Sequence, residues 1–358
     1  MTVRADAVIV GAGVAGLSLA AALAHRRDVV VLEAEARIAV HSSGRSARQM
    51  QPSYGPDHIR ALTRRSIEII GGMESGHGTE ILTPRSLGWV ARPSGVGPLE
   101  LMLEHLPALR RVEGAELAAE LPLADPDVYR AGAIDEDAYE VDVDRLLDAY
   151  LADATAGGAE VVTSAAVEHL ERRGGRWEIR TARGRYSAPV VVNAAGAWAD
   201  RVAGLAGVEP RGIRSYRRTV ALTSSGLDAG LAHAPMISDV EMDFYARPAG
   251  GALLLSPSDE EPVQPGDARP EPATVRRVLE RARNRLAVPV PDVERAWAGL
   301  RCFSDREVPV TGWDPAAPGF VWLAGQGGYG LQTSAALAEA TAQTIAATAE
   351  RSSPEREA

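Results

Sequence analysis

The sequence predicts an α/β fold in two domains, and three observations carry that reading. The stretch Val8 to Glu33 runs as apolar strand, glycine turn, alanine-rich helix, second apolar strand and acid. A second glycine-dense turn, Gly325 to Gly330, feeds another alanine-rich helix near the end of the chain. Between them the apolar run Val190 to Val192 enters a small-residue segment, Asn193 to Trp198. Pieces so far apart imply one Rossmann-like domain, a parallel sheet plus β-meander, assembled from residues 1–80, 141–210 and 300–350. Residues 81–140 and 211–299 are left for a second, α+β domain built on an antiparallel sheet, and 351–358 for a tail.

In the first stretch, Gly11, Gly13 and Gly16 hold the G-x-G-x-x-G spacing. The first glycine permits the tight turn, the second lets a diphosphate approach the backbone, and the third seats the helix close on the strand. The N–H groups at the helix start then face phosphate. Glu33 closes the second strand, where a carboxylate accepts from ribose hydroxyls and repels a 2′-phosphate. NADP is therefore disfavoured, and an ordinary βαβ unit would not need the acid. After it, His41 to Ala47 offers Ser42, Ser43 and Arg45 to a diphosphate; helix capping is the competing use of such residues, and their place beside the first turn favours the cofactor.

The apolar positions Ile59, Leu62, Ile67 and Ile70 recur at helical spacing and predict an amphipathic helix from Asp57 to Ile70. Short strands such as Leu87 to Val90, a helix near Leu99 to Leu106 and Pro and Asp turns make up the next region. A helix over Val141 to Ala156 stops at Gly157 and Gly158 and leads to the strand Glu160 to Val162. The meander follows, at Val167 to Leu170, Trp177 to Thr181 and around Tyr186. From Arg211 to Val293 the pattern is strands with spaced aromatics and one arginine-rich helix, Ala273 to Leu286. The strand Gly319 to Leu323 precedes the second glycine turn, and the last helix runs to about Ala347, with a disordered tail from Ser352.

Composition removes several function classes. The 358 residues carry a net charge of −10, against the clustered basic surface that nucleic acid requires. All 38 basic residues are arginines. Without lysine there is neither a Schiff-base pyridoxal enzyme nor a P-loop. One cysteine, Cys302, allows no intramolecular disulfide and no thiolate metal cluster, and no metal site is expected. No leader and no spanning segment is visible, so the chain reads as cytoplasmic, with no integral membrane segment. An NAD enzyme satisfies the first motif but gives no role to the second glycine turn.

On the segments HSSGRSA, YGPDHIRALT, VVNAAGAWAD, VAGLAGV, WAGLRCF and GQGGYGLQTSAA, the chain resembles the D-amino acid oxidase superfamily of FAD enzymes, which includes glycine oxidase and sarcosine oxidase. Within it, the likeness is to the bacterial D-arginine dehydrogenases. The resemblance implies FAD held by Gly11, Gly13, Gly16, Glu33, Ser42, Ser43, Arg45, the backbone at Val167 and the turn at Gly196. It places Gly328, Tyr329, Gly330, Leu331, Gln332 and Thr333 at the flavin ring, where a helix N-terminus favours negative charge. It puts a substrate carboxylate on Arg218 and Arg301, whose planar forks fix orientation as well as charge. Arg217, beside Arg218, competes for that role. Tyr54 and Tyr245 fit either hydroxyl contacts to the substrate or core aromatics capped by hydrogen bonds.

Two departures from that branch bear on specificity. Its cation-binding glutamate falls on Leu87, and its active-site histidine on Gln49. A leucine pairs no cation, so Leu87, Met50 and Met236 predict an apolar pocket wall. Cys302 follows Arg301 near where sarcosine oxidases carry a flavin-linked cysteine; a small buried thiol and non-covalent FAD are expected instead.

The resulting expectation is FAD-dependent oxidative deamination of an amino acid, of D-configuration and apolar side chain, by hydride transfer from Cα. The imine hydrolyses to a 2-oxo acid and ammonia, and oxygen or another acceptor takes the electrons. Oxidation of an N-substituted glycine with release of glyoxylate is the alternative, and a 2-hydroxy acid dehydrogenase the third.

Overall fold

The computed structural model describes residues 1–352, with side chains described to residue 347; the tail expected over residues 353–358 lies outside the described residues. Its first sheet has six strands in the order Glu160–Val162, Val29–Leu32, Ala7–Val10, Val190–Asn193, Phe320–Ala324 and Val310–Trp313. The first five are parallel and the last is antiparallel. Successive side chains of a strand point to opposite faces, and here both faces are covered. Ala7, Ile9, Val29 and Val31 pack with the helices Val14–Ala24, Val143–Ala156 and Ser334–Ser352. Val8, Val10, Val30 and Leu32 pack with Leu170, Trp177, Ile179 and Tyr186 of the meander. Strands buried on both sides read as unbroken apolar runs, and each such side chain contributes about 1.5–3 kcal/mol on leaving water.

The meander, Val167–Arg173, Arg176–Thr181 and Gly184–Ala188, forms a four-stranded sheet with Thr2–Arg4. The helix Asp57–His77 runs about two turns beyond its expected end, past Gly71 and Gly72, before Gly78 closes it at φ +62°. Met73 packs on the domain core from that added stretch, and such tertiary packing overrides the weak helix propensity of glycine. The last helix continues to Ser352, so the expected start of the tail is helical.

The second sheet has ten strands, drawn mainly from 87–135 and 214–303. It is antiparallel except where Met236–Asp239 runs parallel to Leu87–Ala91. Its two longest strands, Arg214–Thr223 and Val293–Phe303, pair along almost their whole length. The second of them crosses position 300, where the sequence places the return to the first domain. Gln326–Gly327, from the glycine turn, adds to its edge. That pairing brings the first sheet's loops against the second sheet's long strands. No helix among the described residues is long and apolar enough to cross a membrane.

Candidate active site

Two cavities meet along this border. The larger, of about 450 Å³, lies at the C-terminal ends of the parallel strands, where open α/β sheets bind ligands. Gly11 has φ +107°, and a Cβ there would lie 2.5 Å from the Ala194 carbonyl oxygen. A Cβ on Gly16 would fall on the Gly11 carbonyl. Gly13 differs, because a Cβ there would meet only Ser43 Oγ, at an ordinary 3.5 Å. No protein neighbour requires that glycine, which leaves its open space facing the cavity. Glu33 Oε2 accepts from Ala12 N at 2.7 Å and Oε1 from Glu35 N at 2.9 Å. The carboxylate is thus fixed at the cavity wall, with lone pairs to spare.

Ser42, Ser43, Val167 and Gly196 also line this cavity. Ser43 serves both readings of the sequence, since its Oγ accepts from Val14 N at 3.0 Å and caps the first helix. Two buried side-chain nitrogens at the wall, His41 Nδ1 and Gln326 Nε2, have no hydrogen-bond partner. Buried polar atoms are normally paired, so these point to a polar ligand. The residues present fit FAD on all these counts. Arg45 is the exception among those expected to hold it. Its guanidinium is spent on Asp267 and on the carbonyls of Ala268 and Ala298, and the residue lines the smaller cavity rather than this one.

The smaller cavity, of about 140 Å³, shares Val14, Ser42, Ser43, Leu300, Gly327 and Gly330 with the larger, so the two are continuous. Arg218, Arg301, Tyr54, Tyr245, Gln49, Met236 and Gly328 all line it. Strand alternation sorts the arginines. Arg218 faces the cavity, while Arg217 faces away and is held by Glu261 and Glu271. Arg301 Nη1 and Tyr245 Oη are buried and unpartnered. Burial, reinforced by the neighbouring Arg301, pulls the Arg218 pKa down, the mark of two cations in a poorly hydrated wall. Gly328 makes room for Arg301, because a Cβ there would lie 2.6 Å from Nη1.

The glycine turn closes this end. Gly328, Gly330, Leu331 and Gln332 line the cavity. Gln332 Nε2 donates to Thr63 Oγ1 at 2.9 Å, and Thr333 Oγ1 to Tyr329 O at 2.8 Å, so Thr333 braces the turn from behind. The Tyr329 ring lies 5.1 Å from that of Tyr54. Its phenol is pushed up to about 12 by burial and by Tyr54.

Two expected wall residues are elsewhere. Gln49 and Gln51 face the cavity, so Met50 between them points the other way, into the first domain's core with Ile70 and Tyr150. Leu87 is fully buried in the cluster behind Met236, Tyr245 and Trp89 and does not reach the wall. Of the three residues expected to make an apolar wall only Met236 reaches it, and Trp89, Val220, Met242 and Leu331 add to its apolar part. Gln49 is nine-tenths buried; its Nε2 donates to Arg85 O at 3.1 Å, and its Oε1 has no partner. Gln51, Trp89 and Ser238 complete that side. Alternation from Gln49 would have found Gln51; nothing in the sequence marks Trp89 or Ser238. Among the described residues lining this cavity, none is Asp, Glu or His.

The family described as FAD dependent oxidoreductase matches residues 6–344. Human mitochondrial dimethylglycine dehydrogenase is 27% identical over 268 residues, covering 72% of this chain and 31% of its own. The tRNA 5-methylaminomethyl-2-thiouridine biosynthesis bifunctional protein MnmC of Polaromonas sp. (strain JS666) is 29% identical over 382 residues, covering 94% of this chain and 56% of its own. The chain therefore spans less than two thirds of either relative. Among solved structures, glycine oxidase from Bacillus cereus ATCC 14579 superposes with a TM-score of 0.83 over 96% of this chain and 97% of its own, at 20% identity. At that identity the likeness is one of fold.

Proposed function

The chain belongs to the FAD dependent oxidoreductase family, and from that premise we propose that it oxidises a small amine carrying a carboxylate, with deamination of an amino acid as the reaction. One observation carries this reading: Arg301 Nη1 and Tyr245 Oη are buried and unpartnered at a cavity continuous with the nucleotide site. A substrate carboxylate satisfies both. Arg301 supplies a charge-assisted hydrogen bond, and Tyr245 a second donor that fixes the plane of the group. Tyr54 lies beside Arg301 and Tyr329 and closes the other side.

Gly11, Gly13, Gly16, Glu33, Ser42, Ser43, Val167 and Gly196 would hold FAD, with the turn Gly328 to Gln332 at its reactive end. FAD, when bound, supplies the acceptor for the hydride that leaves Cα. The residues contribute orientation, exclusion of water and the positive end of the helix Ser334–Ser352. With no carboxylate or imidazole in the lining, no side chain serves as the base. The amine itself sheds its proton, and water then hydrolyses the imine to a 2-oxo acid and ammonia. It follows that kcat/KM rises with pH along the ionisation of the substrate amine.

The D-amino acid reading comes from the sequence. A second reading, an N-substituted glycine, is favoured by the likeness to dimethylglycine dehydrogenase. Anaerobic bleaching of the flavin by D-, L- and N-alkyl amino acids, with identification of the carbonyl product, tests both. A side-chain 2-oxo acid with ammonia supports the first, and glyoxylate the second. Bleaching only by 2-hydroxy acids would overturn the amine reading.

A further inference from the structure

Of the four arginines lining the smaller cavity, Arg45 is paired with Asp267 and Arg48 with Asp144, and the other two are not equally free. Arg218 Nη2 donates to Glu260 Oε1 at 2.6 Å, and its Nε to the Asp259 carbonyl at 2.9 Å. Arg301 Nη1 lies 3.8 Å from the same Glu260 oxygen and makes no hydrogen bond. Both arginine side chains are largely buried, whereas the Glu260 side chain is half exposed. Glu260 is also held in place through its neighbours. The Asp259 carboxylate accepts from Thr219 N and Oγ1 at 2.6 and 2.7 Å, and Glu261 pairs with Arg217. Three consecutive acids thus answer three consecutive residues of one strand, with Glu260 over Arg218.

We propose that Glu260 determines the charge of the substrate: by neutralising Arg218 it leaves Arg301 as the one open cation, so the cavity takes compounds with a single carboxylate and rejects those with a second acidic group. The inference rests on the reading of this cavity as a carboxylate site. With Glu260 present the arginine pair has one surplus positive charge, which one substrate carboxylate cancels. A second carboxylate would bring uncompensated negative charge into a poorly hydrated wall close to Glu260, which pairs with the arginines from outside the lining, and like charges so placed are disfavoured. Specificity here comes from an element that repels the wrong ligand. Without Glu260 two cations stand open, and a dicarboxylate becomes the better match.

The test uses the FAD-loaded protein and two unreactive acids of equal chain length, butyrate and succinate, with binding read from the perturbed flavin absorbance. Wild-type protein should bind butyrate at least as tightly as succinate. Glu260→Gln should leave butyrate nearly unchanged and improve succinate about tenfold. Adding Arg218→Met should abolish that gain, since one open cation is restored. Equal tightening of both acids would overturn the proposal by showing that Glu260 merely occupies the clamp. Equal weakening would overturn it by showing that Glu260 only holds Arg218 in place, and an unchanged ratio would do the same. Because Glu260 is half exposed, its variant should melt with the wild type. If neither acid binds wild-type protein, the carboxylate site falls and this proposal with it, whereas binding of both with no change in ratio sinks this proposal alone.

Discussion

The nucleotide cavity and the substrate cavity touch at Gly327 and Gly330, yet they are made of different material. The first is built from backbone: glycines that permit a turn, helix-start N–H groups, and one carboxylate pinned by two amides. The second is built from side chains brought together from the strand Arg214–Thr223, the strand Val293–Phe303, the segment around Gln49 to Tyr54 and the strand Tyr245–Ala249. The core of the backbone site, Gly11 to Glu33, lies within about thirty residues of sequence, and Gly11 and Gly16 in it cannot be exchanged for other residue types. A side-chain site depends on the register of distant strands, and each member can be replaced at a graded cost. The two regions should therefore break differently.

The sharpest break is expected at Gly11. At φ +107°, with the Ala194 carbonyl 2.5 Å from any Cβ, Gly11→Ala meets both backbone strain and a clash with backbone that cannot yield. The variant should purify without flavin or fail to fold, as its absorbance near 450 nm and its melting curve will show. A yellow, normally melting Gly11→Ala protein would end the backbone account of this cavity. On the substrate side, Arg301→Met should keep its flavin and lose kcat/KM by about a thousandfold, because truncating a buried charge partner costs 2–5 kcal/mol. Arg218→Met should lose less, about thirtyfold, since Arg218 already has Glu260 as its partner. Equal losses would erase the distinction between the two arginines. Gly328→Ala tests the seam, as its methyl would press on Arg301 Nη1. KM should rise about tenfold at constant flavin content, because a displaced clamp weakens substrate binding while Gly328 lines the smaller cavity and not the larger.

The same difference explains what was legible in the sequence. Gly11, Gly13, Gly16 and Glu33 declare themselves by spacing, and the unbroken apolar runs mark the strands of the parallel sheet. Arg218, Arg301 and Tyr245 come only from resemblance, since nothing local distinguishes them from other arginines and tyrosines; Arg217 next door is a structural strut. Met50 was misplaced because adjacent residues of an extended segment point to opposite faces, and Gln49 takes the cavity side. Leu87 was misplaced by analogy, for it lies in the cluster behind the wall rather than in it. Arg45 looked like a diphosphate ligand and is a brace, because its partners Asp267 and Ala298 are more than two hundred residues away. Glu260 was invisible, since three successive acids read as a solvated run.

The smallest effect is expected at Cys302, which stands on the wall of the nucleotide cavity but in a side-chain role. Its thiol is buried, and burial pushes its pKa up to about 11, with Ser215 Oγ at 3.9 Å opposing the shift. The thiolate is the nucleophile. With the folded pKa above the ordinary thiol value, the neutral form persists as pH rises and yields only near pH 11. At pH 8 the reactive fraction is about one in a thousand, against roughly a quarter for an exposed thiol. Iodoacetamide should therefore label the folded protein about 250-fold more slowly than the denatured protein at pH 8, with the gap closing toward pH 11. With so little thiolate no link to the cofactor is expected, and acid denaturation should release all the flavin into the supernatant. Cys302→Ser, which exchanges one small buried group for another, should change flavin affinity by less than about twofold. Yellow colour retained in the washed precipitate would reverse the assignment and make Cys302 a covalent anchor of the cofactor.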